Sequence, residues 1–126
     1  MPSPPPHARS VLGARAEEAV SFHLERSGLA ILGRNVRVGR LELDIVAREG
    51  EVIAIVEVRV RGPGALVRAL DSIDAGKQKR VRAAGESLWR TQFSKDPTLA
   101  RMRFDAAGVS FDEDGEPVIE LVKAAF

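Results

Sequence analysis

At 126 residues, 44% of them hydrophobic and 29% charged, the chain has the size and balance of one soluble globular domain. The absence of cysteine excludes disulfide scaffolds, thiolate metal sites and thiol nucleophiles, and no apolar run approaches the ~18 residues that suggest a membrane span. The net charge of +1 conceals a segregation, because Arg59 to Arg103 carries eleven basic against four acidic residues and the remainder is acidic. A basic segment beside acids suits a polyanion held near metal ions, but surface charge also serves plain solubility, so the segregation alone decides little.

Residues 1–9 hold four prolines and no apolar stretch, which predicts a disordered leader instead of a secretory signal, a cytoplasmic protein, and a single domain over residues 10–126. Ser10 is a candidate N-cap for a helix over Val11–Arg26, where Leu12, Ala16, Ala19, Val20, His23 and Leu24 recur at helical spacing until Ser27-Gly28 stops them. Leu29 to Val38 predicts a first strand with Arg34 and Arg37 near its exposed end.

Arg40 to Arg61 organises the rest. Leu41, Leu43 and Ile45 alternate with Glu42, Asp44 and Val46, Glu49-Gly50 makes a turn, and Val52 to Val60 is rich in β-formers, which predicts a hairpin. Strand periodicity puts Glu42 and Asp44 on one face of the first arm and Glu57 and Arg59 on one face of the second. The unbroken apolar run Val52 to Val56 marks a central strand covered on both sides. Glu57 follows it directly, and a carboxylate at the end of a buried strand is costly unless paired, hydrogen-bonded or bound to a metal.

The following GPGALVRAL, residues 62–70, predicts a loop over the sheet edge. Asp71 or Ser72 then caps a second helix with Ile73, Val81, Ala84 and Leu88 in one stripe and Lys77, Gln78, Lys79, Arg80 and Arg82 around it, ending before Lys95-Asp96-Pro97. Met102 to Phe111 and Pro117 to Val122 predict two more strands joined by Asp112-Glu113-Asp114-Gly115. Helix, three strands, helix and two strands give a three-layer α/β domain, with a mixed sheet of about five strands and a helix on each face.

These residues resemble the YraN-like family, small bacterial proteins assigned to the restriction-endonuclease-like, or PD-(D/E)xK, superfamily. The resemblance rests on Gly13, Glu17 and Ala19 in the first helix, Asn35 and Arg37 in the first strand, Leu41-Glu42-Leu43-Asp44, Val56-Glu57-Val58-Arg59, Lys77-Gln78-Lys79-Arg80, and Arg103-Phe104-Asp105. It covers nearly the whole chain after the leader. The chain departs from the family pattern where Leu41 replaces a glycine and Arg59 replaces the motif lysine.

The resemblance implies a restriction-endonuclease-like fold and a nuclease acting on DNA or RNA phosphodiesters with Mg²⁺ or Mn²⁺. By the same resemblance, Asp44 and Glu57 hold the ion, Glu42 and Glu17 are second-rank ligands for a further ion or its waters, and Arg59 stands at the catalytic lysine's position. An arginine stays protonated and cannot act as a base, although its fork can bind a phosphate oxygen, so hydrolysis is expected to be weakened. Lys77, Gln78, Lys79, Arg80 and Arg82 are the expected nucleic-acid contacts, made to the backbone without reading sequence.

Two other classes compete with the enzyme. One is a module that keeps the fold and binds nucleic acid without cutting it, and the other is a protein-interaction scaffold, self-association as a homodimer included. Plainer readings of the residues also stand: the hairpin acids as a solvated polar face, Lys77 to Arg82 as a solvated helix face, His23 as a helix-edge residue, and Trp89, Phe93 and Phe104 as core.

Overall fold

The structure, a computed structural model, describes residues 11–61, 71 and 73–126. The expected leader, the Ser10 and Ser72 caps and the loop over residues 62–70 lie outside the described residues. Helix α1 spans Val11–Arg26, strands β1, β2 and β3 span Ala30–Val38, Leu41–Glu49 and Val52–Val60, helix α2 spans Ala75–Leu88, and β4 and β5 span Arg101–Phe111 and Pro117–Val122. This is the expected α/β architecture, a mixed five-stranded sheet in the order β1-β2-β3-β4-β5. Only the β3–β4 pair is parallel, as a strand–helix–strand crossover through α2 requires.

Residues of α1 and α2 fall in different buried clusters, one on each side of the sheet. Ala16, Val20 and Leu24 of α1 pack with Ile45, Ala47, Ala54, Val56, Val58, Ala107 and Val109. Val81, Ala84 and Leu88 of α2 pack with Leu43, Val46, Ile53, Ile55 and Phe104. β3 is the middle strand and is buried from Ile53 to Val58, so the apolar run is covered on both faces as its composition demands. Among the described residues no helix is long and apolar enough to cross a membrane.

The cap of α2 corrects the sequence reading. Asp74, extended at φ −67° and ψ 167°, accepts from the Lys77 amide at 2.8 Å, and the helix starts at Ala75 instead of at Asp71 or Ser72. Ile73, read as the first apolar residue of the helix, is buried ahead of it in a small cluster with Ala106. At its far end α2 runs into a π-helical turn, Trp89–Phe93, closed by the Ser94 amide on the Trp89 carbonyl at 2.8 Å.

One departure from regular strand geometry positions the site. In β2, Leu43 packs on the α2 side whereas Ile45, two residues on, packs on the α1 side. β1 does the same past its bulge between Ile31 and Gly33: Arg34 pairs with Ile45 of the α1 cluster, whereas Val36, two residues on, pairs with Leu43 and packs with it and Val38 in the α2 cluster. The change of face falls between Arg34↔Ile45 and Val36↔Leu43 in the pairing, the level of Asn35 and Asp44. Asn35 takes the left-handed conformation there, φ +53°, which an asparagine tolerates better than other side-chain-bearing residues. The two-residue period on which Glu42 and Asp44 would share a face is therefore interrupted at Asp44.

Candidate functional site

The β2–β3 ladder runs from Glu49↔Val52 to Ile45↔Val56 and stops where β2 changes face. Beyond it, side chains take over from the missing backbone pairs. The Val58 amide donates to Asp44 Oδ2 at 2.8 Å, and the Asp44 amide approaches Glu57 Oε2 at 3.4 Å. The first is a good hydrogen bond and the second is long. Asp44 and Glu57 are thus neighbours, as the hairpin reading required, through a local opening of the sheet that alternation does not reveal.

Glu57 is 1% exposed. Its other oxygen, Oε1, lies 3.8 Å from Lys77 Nζ, an ion pair too long for a hydrogen bond. Burial, reinforced by the Asp44 charge, pushes the Glu57 carboxyl up from its ordinary 4.5 to about 7, against the opposing pull of Lys77, the Asp44 amide and Arg59. Desolvation of the enclosed carboxylate outweighs the attraction of Lys77 and Arg59.

Arg103 and Asp105 show what full compensation looks like in this protein. The Arg103 fork bonds Asp105 Oδ1 and Oδ2 at 2.8 and 2.9 Å, and its third nitrogen reaches Glu49 at 2.9 Å. Asp105, fully buried, also accepts the Ala124 amide at 2.9 Å, while Lys123 closes on Glu49 at 3.0 Å. The Arg-Phe-Asp element of the resemblance is in this chain a clasp between β4, the β2–β3 turn and the chain end.

Arg59 on β3, and Arg61 just past the strand's last residue Val60, continue from Glu57 in steps of two along the face that carries Ile53 and Ile55 toward α2. Arg59 Nε, Arg61 Nε and Arg61 Nη2 are buried and have no hydrogen-bond partner among the described residues. An unsatisfied buried donor costs about 1–3 kcal/mol. The register sets Ala106 beside Glu57 and Gly108 beside Arg59, so β4 offers at most a methyl group at these two positions. Sequence reasoning stopped at Arg59. Arg61 lies two residues further along the same face, and that spacing was the available signal.

The other expected site residues are dispersed. Lys79, Arg80 and Arg82 are exposed on α2, whereas the Gln78 amide is engaged, donating to the Ile73 carbonyl at 2.9 Å, and so braces the entry to the helix. Glu42 is half-buried opposite Arg37. Glu17 is buried on α1 between Ala16 and Val20, which pack with Val56 and Val58 on the other face of β3 from Glu57. Among the described residues no three or more His, Asp or Glu side chains gather into a ready metal cage. Two adjacent hard-oxygen donors nevertheless fit Mg²⁺, which commonly takes one or two carboxylates and completes its shell with water and phosphate oxygens.

The pattern of the uncharacterised protein family UPF0102 matches residues 16–109, spanning most of α1, β1, the hairpin, α2 and most of β4. A UPF0102 protein of Sorangium cellulosum is 60% identical over 124 residues, 98% of this chain and 86% of that one. Others from Streptomyces coelicolor and from an Anaeromyxobacter species are 34% and 37% identical, covering 90% and 94% of this chain and 87% and 86% of theirs. Asp44, Glu57, Arg59, Arg61 and the α2 basic run fall inside the matched span, and the chain belongs to UPF0102, the YraN-like family.

Proposed function

We propose that this chain is a divalent-metal-dependent, nuclease-fold protein of the restriction-endonuclease-like superfamily, acting on the phosphodiester bonds of DNA or RNA in the cytoplasm. The observation that carries the reading is the buried Glu57 carboxyl beside Asp44, met among the described residues by a long amide contact and a long ammonium contact. Asp44 and Glu57 would hold Mg²⁺ or Mn²⁺, whereas Glu42, opposite Arg37, and Glu17, on the other face of β3 from Glu57, fall outside this pair. The bound ion supplies a Lewis acid for the scissile phosphate and a more acidic water.

The chain's own residues do the rest. The Val58 amide donates to Asp44 Oδ2 and so fixes the orientation of this carboxylate beside Glu57. Arg59 binds a non-bridging phosphate oxygen and stabilises charge as the bond breaks, the part of the motif lysine's work a guanidinium can do. It takes no proton from water. Lys77 brings a compact ammonium to Glu57 from α2, an amine on the site that Arg59 does not provide. Lys79, Arg80 and Arg82, exposed on the same helix, follow the phosphate backbone without reading sequence.

Arg59 also favours a second reading, a nucleic-acid-binding module that cleaves slowly or not at all. A cleavage assay on mixed DNA and RNA structures with Mg²⁺ or Mn²⁺ separates the two. For the enzyme, wild type cuts, Asp44→Ala abolishes cutting, Arg59→Lys raises it, and Lys77→Ala lowers it by ~10-fold or more. Binding without cleavage in wild type and Arg59→Lys alike supports the module. If neither ion binds and no variant cuts, the enzyme reading is wrong.

A further inference from the structure

We propose that Arg61 and Arg59 form a two-guanidinium clamp for a single nucleic-acid phosphate, one that grips the strand without a divalent ion. The inference rests on the nucleic-acid reading above and adds to it a residue and an ion-independent step.

Its basis is the contrast between two pairs of side chains on neighbouring strands. Arg103 meets acceptors with its Nε and both terminal nitrogens. Arg48 likewise reaches the Gly50 carbonyl at 2.8 Å and the Thr98 hydroxyl at 2.9 Å. Arg59 and Arg61 instead keep three buried guanidinium nitrogens without an acceptor among the described residues. Folded proteins leave few such donors, and a cluster of them calls for an acceptor that the described residues do not supply.

The geometry narrows what that acceptor is. Positions i and i+2 on one strand face are ~6.5–7 Å apart at the backbone, close enough for two forks to converge on one tetrahedral group. Two like charges side by side oppose each other until an anion lies between them. The Arg61 amide is bonded to the Val109 carbonyl at 2.7 Å, so the backbone beneath its side chain is held. With Glu57 next in the row, a phosphate bound there lies beside the carboxylates before any ion arrives. The strand would be positioned first, where its phosphate oxygens could join Asp44 and Glu57 in holding a divalent ion.

The test is anisotropy titration of labelled DNA and RNA strands and duplexes with the full chain in EDTA, across a range of NaCl. Wild type is compared with Arg61→Met and Arg61→Lys, and inorganic phosphate is added as competitor. Arg61→Met is expected to bind ~10-fold more weakly and to lower the salt slope by about one. Its melting temperature should stay equal or rise, because it removes donors the fold leaves unmet. Arg61→Lys should restore the slope and only part of the affinity, since a point charge lacks the fork. An unchanged affinity and slope in Arg61→Met overturns the clamp and leaves the nuclease reading standing. A lower melting temperature with an unchanged slope also overturns it and makes Arg61 a structural residue. Displacement of the strand by micromolar phosphate assigns the site to the free anion and rejects a nucleic-acid clamp. Wild type that shows no salt-sensitive binding overturns both readings together.

Discussion

At the scale of single residues, Glu57 gives the protein an unusual pH dependence. Its folded-state value of about 7 stands above the ordinary 4.5. Between those values the folded protein keeps a proton that the unfolded chain has released. Its contribution is therefore complete below about pH 4.5 and is lost as pH rises through 7. The gap corresponds to about 3 kcal/mol. Glu49 and Asp96 are held below their ordinary values, mainly by hydrogen bonds from Lys123 and from Thr98, so their contributions fall away only on the acid side, outside this window. Urea midpoints in EDTA should fall between pH 5 and pH 8 for wild type and stay level for Glu57→Gln. Metal acts in the opposite sense, because the ion replaces the proton: Mg²⁺ or Mn²⁺ should raise the wild-type midpoint more at pH 8 than at pH 5.5. How Glu57 came to be singled out is instructive. An apolar run ending in an acid is visible in one dimension, and its cost follows from burial alone. The partner across the opening, Lys77, was assigned to solvent-facing phosphate contacts because helix periodicity does not say which end of a helix abuts which strand.

At the scale of elements, the strands and helices were legible and one irregularity among them was not. The bounds of α1 and β5 match the periodicity, and β1 and β4 differ by one residue at their starts. The second helix was begun too early because Asp71-Ser72-Ile73-Asp74 offers three capping residues, and Ile73 imitates the first member of the stripe. Asp74 is selected by reaching the Lys77 amide, which depends on the chain path into the helix. The change of face at Asn35 and Asp44 had a faint signal, an asparagine inside a β-rich run. Strand patterns assume a constant two-residue period and cannot place a break. That break ends the β2–β3 ladder and frees the Asp44 amide toward Glu57, so the site depends on it. Asn35→Gly should fold normally, while Asn35→Val, β-branched at φ +53°, should lose about 1–2 kcal/mol. If the face change positions Asp44, Asn35→Val should also reduce the Mg²⁺-induced shift in melting temperature. A full metal response in a destabilised Asn35→Val would show that the two are independent.

At the scale of the whole molecule, two buried acids on adjacent strands divide the work of stability and site. Asp105 pairs in register with Val56 and Glu57 with Ala106, one on the α1 side of the sheet and the other on the α2 side. Asp105 receives two nitrogens of Arg103 and the Ala124 amide. It ties the chain end back to the sheet, where the Ala125 amide meets the Phe104 carbonyl at 2.8 Å and Phe126 lies 5.5 Å from the Phe104 ring. Both acids belong to the motif pattern of the sequence, and nothing in one dimension separates the buried acid that Arg103 and the Ala124 amide satisfy from the one that meets only long contacts among the described residues. Three dimensions separate them by counting donors, and the difference makes opposite predictions. Asp105→Ala leaves Arg103 half-buried with Glu49 alone and releases the chain end, and should cost about 3–5 kcal/mol in urea unfolding. The Mg²⁺-dependent gain in whatever stability remains should persist, because the ion's ligands lie on the other face. Glu57→Gln should invert the pattern, with stability at pH 8 retained or raised and the metal-dependent gain lost. Equal losses of stability in both variants, with the metal response unchanged in both, would mean that Glu57 too is a structural acid and that the site lies elsewhere.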